Sequence, residues 1–147
     1  MGASGWGYFV AYQPDLDAAL DALREEMFTE GRYWWAHGPI PNSARDCDDR
    51  PTTMEELFGD ELAQETGTHS ILDVHRVLSE GEQPAFGTVQ PVTATEALRH
   101  AGTERLTREH VDAIDSLAER SWLGRCAVLH DTQGQPEEIY FWGFSGD

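Results

Sequence analysis

Lysine is absent from this chain, and every cationic side chain other than histidine is an arginine. Schiff-base chemistry, a phosphate-loop lysine and a Ser–Lys dyad each need an amine, so all three are excluded. Cysteine is nearly absent too: Cys47 and Cys126 are too few for a secreted disulfide framework, and a reduced, cytoplasmic setting is expected. No apolar run reaches the length of a membrane-spanning helix. Asp15, Asp17 and Asp21 interrupt what would have to be a signal core near the N-terminus, so no secretory leader is expected. The patterns GxSxG, HExxH, paired CxxC and the EF-hand loop do not occur. Gly2, Gly5 and Gly7 precede the first expected strand instead of joining a strand to a helix, which removes a phosphate-loop reading. Nothing in these motifs calls for a cofactor.

Acid is what the chain has in excess. Set against 10 arginines, 27 aspartates and glutamates leave a formal charge of −17. Nucleic-acid affinity rests on cationic contacts that release counterions, so direct binding of DNA or RNA is disfavoured, as is an anionic membrane. A field of this sign speeds encounter with a basic protein and can mimic the charge of nucleic acid. Asp17, Asp21 and Glu25 on one expected helix, with Asp46, Asp48 and Asp49 in a loop, are the candidate partner-binding carboxylates. Taken singly, such residues also serve as solvated faces and helix-dipole partners. In an extended Arg32–His37 segment, Trp34 and Trp35 point opposite ways, so one ring is expected outside, where an aromatic ringed by acids would act as an interface anchor.

The length suits one domain spanning residues 1–147. Gly7–Gln13 is apolar on both alternating faces and predicts a central strand. After Pro14, Leu16, Leu20, Leu23 and Met27 share a stripe, predicting a helix over Asp15–Glu30 that Gly31 ends. Arg32–His37 predicts a short strand, and Gly38–Pro51 a loop. Thr53 with Glu56 has capping-box spacing and opens a helix to about Gln64. Thr68–Leu78 reads as a strand, and the stretch through Pro84 as loop. Thr93 with Glu96 repeats the capping signature before a helix to Ala101, and Thr107–Trp122 carries apolar residues at helical spacing. Cys126–Asp131 and Glu137–Phe144 flank a turn-forming TQGQP insert, which predicts a C-terminal β-hairpin. The expected fold is α+β: a single mixed or antiparallel sheet of about five strands with helices packed on it.

One constellation could carry chemistry. Along a strand, residues two and four apart share a face, so His69, Asp73 and His75 could converge on a metal or act as an acid–base group. Their alternative role is a polar outer face opposite Leu72 and Val74. Cys126 and His130 fail as a nucleophile–base pair, because four residues of strand separate them by roughly 13 Å. Carboxylates flank Cys47 on both sides and disfavour its thiolate.

The segment Gly7-Tyr8-Phe9-Val10-Ala11-Tyr12-Gln13-Pro14-Asp15, with Ala19-Leu20, Leu23-Arg24, Phe28 and Gly31-Arg32-Tyr33, resembles small acidic proteins of high-GC bacteria, a group with no assigned activity. Gly67-Thr68-His69-Ser70-Ile71-Leu72-Asp73, Phe86-Gly87 and Glu138-Ile139-Tyr140-Phe141-Trp142-Gly143 are similar to later blocks of that group. The reading that charge and missing motifs favour is an acidic protein-binding module of the immunity or antitoxin type, occluding a basic or nucleotide-binding toxin. The alternatives are a small metal-dependent or acid–base enzyme using Asp73 and His75 with His69 in support, and a small-molecule sensor with an aromatic pocket.

Overall fold

In the computed structural model, residues 4–38 and 43–145 are described. Gly2 and residues 39–42 of the expected loop lie outside them. Five strands form one mixed sheet in the order β1-β5-β4-β3-β2. They are β1 (Gly5–Ala11), β2 (Arg76–Val77), β3 (Thr88–Pro91), β4 (Gly124–His130) and β5 (Pro136–Phe144). β1–β5 and β5–β4 are antiparallel, whereas β4–β3 and β3–β2 are parallel. The expected α+β class and C-terminal hairpin are both present: β4 pairs β5 from Gly124 opposite Gly143 to His130 opposite Pro136.

The hairpin forms the centre of the sheet because its side chains are apolar on both faces. Cys126, Ile139 and Phe141 face one layer, and Ala127, Leu129, Tyr140 and Trp142 the other. On the first face lies helix α1 (Leu16–Glu30), which buries Ala19, Leu20, Leu23 and Met27 against the sheet. The Asp15 carboxylate caps its N-terminus by accepting from the Ala18 N–H at 3.0 Å, and Gly31, at φ 68°, closes it in the left-handed conformation. On the second face sit α4 (Ala94–Ala101), opened by the Thr93/Glu96 capping box, and α5 (Val111–Ile114), flanked by 3₁₀ turns. A third apolar cluster of Tyr33, Trp35, Ala44, Cys47, Leu57, Ala63 and Leu72 lies beneath α2 (Met54–Gly59) and α3 (Glu61–Thr66).

Several expectations are corrected. β1 is an edge strand, with Trp6 buried against α1 while Phe9 on the opposite face stacks on Tyr140 at 4.7 Å. Arg32–His37 is not a strand: the chain turns there, and Tyr33 and Trp35 fill the third cluster. Thr68–Leu78 holds a 3₁₀ turn at Ile71–Asp73 and only two residues of strand, Arg76–Val77. The helix from Thr53 is broken at Asp60, which ends α2 and caps α3 by accepting from the Ala63 N–H. The expected helix to Trp122 stops at Leu117. Among the described residues, no helix is long and apolar enough to cross a membrane.

Candidate functional site

The segment expected to be a strand folds instead into a buried polar knot, because its hydroxyls and carboxylate satisfy the local backbone in competition with a sheet ladder. Ser70 accepts from the Leu72 N–H at 3.2 Å and so caps the 3₁₀ turn. The Thr68 N–H and hydroxyl both donate to Asp73 Oδ1, at 2.7 and 2.8 Å, and the Thr68 and Ser70 hydroxyls lie 2.7 Å apart. Asp73 is only 4% exposed, and its second oxygen, Oδ2, is buried with no hydrogen-bond partner. Burial therefore pushes the Asp73 carboxyl up, against the opposing pull of the Thr68 groups, the nearby Ser145 hydroxyl and the His69 ring. The Ser145 hydroxyl, itself buried, is the hydrogen-bonding group beside this carboxylate and favours its charged form.

Asp73 lines a cavity of about 580 Å³ together with Arg24, Phe58, Ala63, Gln64, Leu72, His75, Phe86 and Trp122. Its walls come from α1, the α2–α3 pair, the 3₁₀ turn, the segment before β3 and the turn before β4. Phe86 and Trp122 stack with centroids 4.8 Å apart, and Phe86 is 67% exposed, so its ring is free to serve the cavity mouth. The Arg24 guanidinium lies over the Phe58 ring at 5.8 Å and donates through Nη2 to the Leu72 carbonyl at 3.3 Å. Its Nε–H is buried without a partner. Burial lowers the Arg24 pKa, and the charges of Asp21 and Asp73 partly restore it. Arg24 and Asp73 thus feel each other's charge without joining in an ion pair.

Two glycines let the walls close. Gly67, at φ 75°, leaves the space that a Cβ would take only 2.8 Å from Asp73 Oδ2 and 3.1 Å from Trp122 Cη2. Gly87, at φ 79°, lies so near the imidazole that a Cβ would meet His75 Nδ1 at 2.5 Å. Gly87 also links two walls, accepting from the His75 N–H at 2.8 Å and donating to the Trp122 carbonyl at 2.8 Å. The His75 pKa is lowered, by burial first and then by the Arg24 and Arg76 charges, so the ring is neutral at neutral pH. Trp122 itself stands at φ 66° and His69 at φ 52°, left-handed conformations that cost a non-glycine residue about 1–2 kcal/mol each. Such strain clusters at binding and active sites.

The structure therefore brings Asp73 and His75 into one cavity but not through a shared strand face. His69 acts on Asp73 by its charge and packs against Trp34, with ring centroids 4.9 Å apart. Among the described residues, no group of three or more His, Cys, Asp or Glu side chains could hold a metal ion. Trp35 is 6% exposed and belongs to the third cluster, so it offers no anchor to a partner, and Trp34 is half-buried. Asp17, Asp21, Glu25, Asp46, Asp48 and Asp49 are all exposed. Asp17 nevertheless has structural work, because its Oδ1 accepts from the Val77 N–H at 2.7 Å. The Cys126 thiol is pushed up to about 12 by burial, and burial with Asp49, Asp46 and Asp48 raises Cys47. Neither thiol is a ready nucleophile.

Arg24, Phe58, Phe86 and Trp122 were not legible as site residues, since nothing in their local patterns connects positions so far apart. The available signal was indirect: Gly67 and Gly87 bracket the 68–78 segment, and glycines there permit close backbone approach. A second hollow of about 400 Å³, lined by Gln83, Pro84, Leu117, Arg120 and Arg125 among others, offers no comparable group. Arg125 in its wall is already held by both carboxylate oxygens of Glu96. No family model matches the chain, and neither the curated proteins nor the solved structures contain a match.

Proposed function

We propose that the protein is a small-molecule-binding module of the sensor type, with its site in the Asp73 cavity. One observation carries this reading: a largely apolar cavity of about 580 Å³, walled by Phe58, Phe86 and Trp122, also has Arg24, Asp73 and His75 in its lining. The volume falls within the range of small-molecule sites, which pair apolar walls with a few convergent polar groups. The test is a thermal-shift screen of the full chain against a broad metabolite collection, repeated on Asp73→Asn and Phe86→Ala. A compound should raise the parent melting temperature and lose its effect in both variants. If every stabilising compound acts equally on the parent and both variants, the cavity is not the site.

The acidic surface favours a second reading, the immunity- or antitoxin-type inhibitor of a basic or nucleotide-binding toxin. Asp21, Glu25, Asp46, Asp48 and Asp49 are exposed, whereas Arg32, Arg76, Arg108 and Arg125 are tied to Glu30, Glu82, Glu138 and Glu96. The negative field is therefore presented outward while much of the positive charge is neutralised locally. Affinity for a cationic partner should fall at least tenfold on reversing Asp21, Glu25 and Asp48 to arginine. A partner captured equally well by the reversed and parent chains would reject this reading.

A further inference from the structure

The sheet has two edges, and they are finished differently. β2 is two residues long, and the Asp17 carboxylate takes its Val77 N–H at 2.7 Å, so a side chain closes that edge. β1 is seven residues long and runs in unbroken register from Gly5 opposite Phe144 to Ala11 opposite Glu138. It contains no charged side chain, proline or bulge, the devices by which natural sheets blunt an edge. Two hydrogen bonds at its ends fix which backbone groups are free. The Tyr12 N–H donates to the Glu137 carbonyl at 3.1 Å, and the Ser145 N–H to the Ser4 carbonyl at 2.9 Å. Residues of an antiparallel strand alternate between bonding to their neighbour and facing away from it, so the even-numbered residues of β1 bond to β5. The N–H and C=O groups of Gly5, Gly7, Phe9 and Ala11 therefore point out of the sheet. These are also the exposed residues of the strand, and among the described residues β1 pairs with β5 alone.

The same edge carries a knob and a hollow. Phe9 is 40% exposed and is already held in place, stacked on Tyr140 at 4.7 Å with the Arg108 guanidinium over its ring at 3.8 Å. On the same face, Gly5 and Gly7 open a groove of about 310 Å³ whose walls include Tyr140, Trp142, Phe144 and Asp115. An aromatic knob and an aromatic-walled groove on one strand edge complement themselves, because a two-fold axis through an antiparallel pair brings each to the other. Charge argues against a partner recognised by ions here, since no charged side chain lies between Ser4 and Pro14. Two chains of −17 repel each other, and an uncharged edge lets them approach.

We infer that β1 is the docking edge for a second copy of this chain, which joins it antiparallel across a two-fold axis and makes one continuous sheet of the two. Pairing the full strands with their outward groups facing each other sets the register: Gly5 of each copy opposite Ala11 of the other, Gly7 opposite Phe9, and Tyr8 on the axis. Each Gly7–Phe9 pair then places a ring beside a position with no side chain, next to the groove, so that the ring covers backbone the glycine leaves bare. Backbone hydrogen bonds supply the affinity of such an added strand, and the ring-and-glycine pairs hold its register.

Sedimentation of the full chain from micromolar to submillimolar concentration, in low and in high sodium chloride, tests this together with amide hydrogen exchange at the two ends of that range. The expected result is a reversible monomer–dimer equilibrium that tightens severalfold in high salt, because screening relieves the repulsion between two acidic copies. The Gly7 and Phe9 amides should become protected as dimer forms, whereas those of Tyr8 and Val10, already bonded to β5, should not change. Ala11→Pro removes an outward N–H and leaves the ladder to β5 intact, and Phe9→Ala removes the knob. Each should weaken dimerisation at least tenfold. If Ala11→Pro folds poorly, seen as a lowered melting temperature, Phe9→Ala at its exposed position carries the test. A chain that stays monomeric at submillimolar concentration in both salts overturns the proposal, as does a dimer that both variants leave intact or whose Gly7 and Phe9 amides stay open. A monomer that instead holds a different protein, lost from Ala11→Pro, also overturns self-pairing and gives the edge to a foreign strand.

Discussion

At the scale of the residue, the environment of Asp73 opposes its charge. Its folded pKa is raised, so its contribution to stability is fully present below the unfolded value of about 3.9 and is lost as pH rises through the folded value. Asp73→Asn keeps an oxygen for the two Thr68 donors and removes the titration. The stability advantage of the asparagine variant over the parent should therefore grow as pH climbs from about 4 and then level off. Urea midpoints of the two proteins at pH 4, 6 and 8 check this, and a constant difference across that range counts against the buried carboxylate described here. Asp17 makes the opposite point about acidic residues. It looks like a surface charge, yet it satisfies an N–H of the edge strand β2. Asp17→Ala should cost about 1 kcal/mol, whereas Glu26→Ala, on the exposed side of the same helix, should be near neutral.

At the scale of the element, helix α4 depends on one carboxylate with two tasks. Glu96 accepts from the Thr93 N–H in the capping box and receives the Arg125 guanidinium through both oxygens. Burial opposes its ionisation, but the Arg125 and Thr93 donors outweigh that and hold the carboxyl below its usual value. Its contribution is thus present above the unfolded pKa and fades as pH falls through the folded one. Removing it leaves Arg125, itself 7% exposed, as an unpaired buried cation, so Glu96→Ala should destabilise by about 3–5 kcal/mol. Thr93→Ala, which loses only the cap, should cost about 1 kcal/mol, and chemical denaturation separates the two. Capping signals of this kind are local, which is why α4 could be read from Thr93 and Glu96 alone, and α1 from Asp15, its apolar stripe and Gly31. The hairpin was legible for the same reason. The 68–78 segment was not, because Thr68, Ser70 and Asp73 bond to their own backbone and override an alternation that suited a strand. The tyrosine and tryptophans after Arg32 were misread because β-propensity reports only how a residue suits a half-buried surface, and a turn packed under α2 and α3 supplies one equally well. The candidate site shows the same divide. Asp73 and His75 stood out by residue type, whereas Arg24, Phe58, Phe86 and Trp122 reach them only through the tertiary fold.

At the scale of the whole molecule, the charge of −17 acts on stability as well as on partners. Carboxylates on α1, α2, α3 and the loop between α1 and α2 are exposed and mutually repulsive, and compaction brings them closer than the unfolded chain does. Added salt shortens the range of that repulsion, with a screening length of about 30 Å at 0.01 M falling to about 10 Å at 0.1 M. The surface pairs Arg32–Glu30 and Arg76–Glu82 are weakened by the same salt, but each is worth at most about 1 kcal/mol. The many unpaired carboxylates outnumber these pairs, so relief of repulsion should win and the protein should become more stable between 0.01 and 0.15 M sodium chloride at pH 7. Urea unfolding at the two ionic strengths reads this as a higher midpoint at an unchanged slope, the pattern of a stability change without a change in the surface exposed. A midpoint that falls with salt would mean that ion pairs, and not the acidic excess, dominate the electrostatics of the folded state, and the case for a cationic partner would weaken with it.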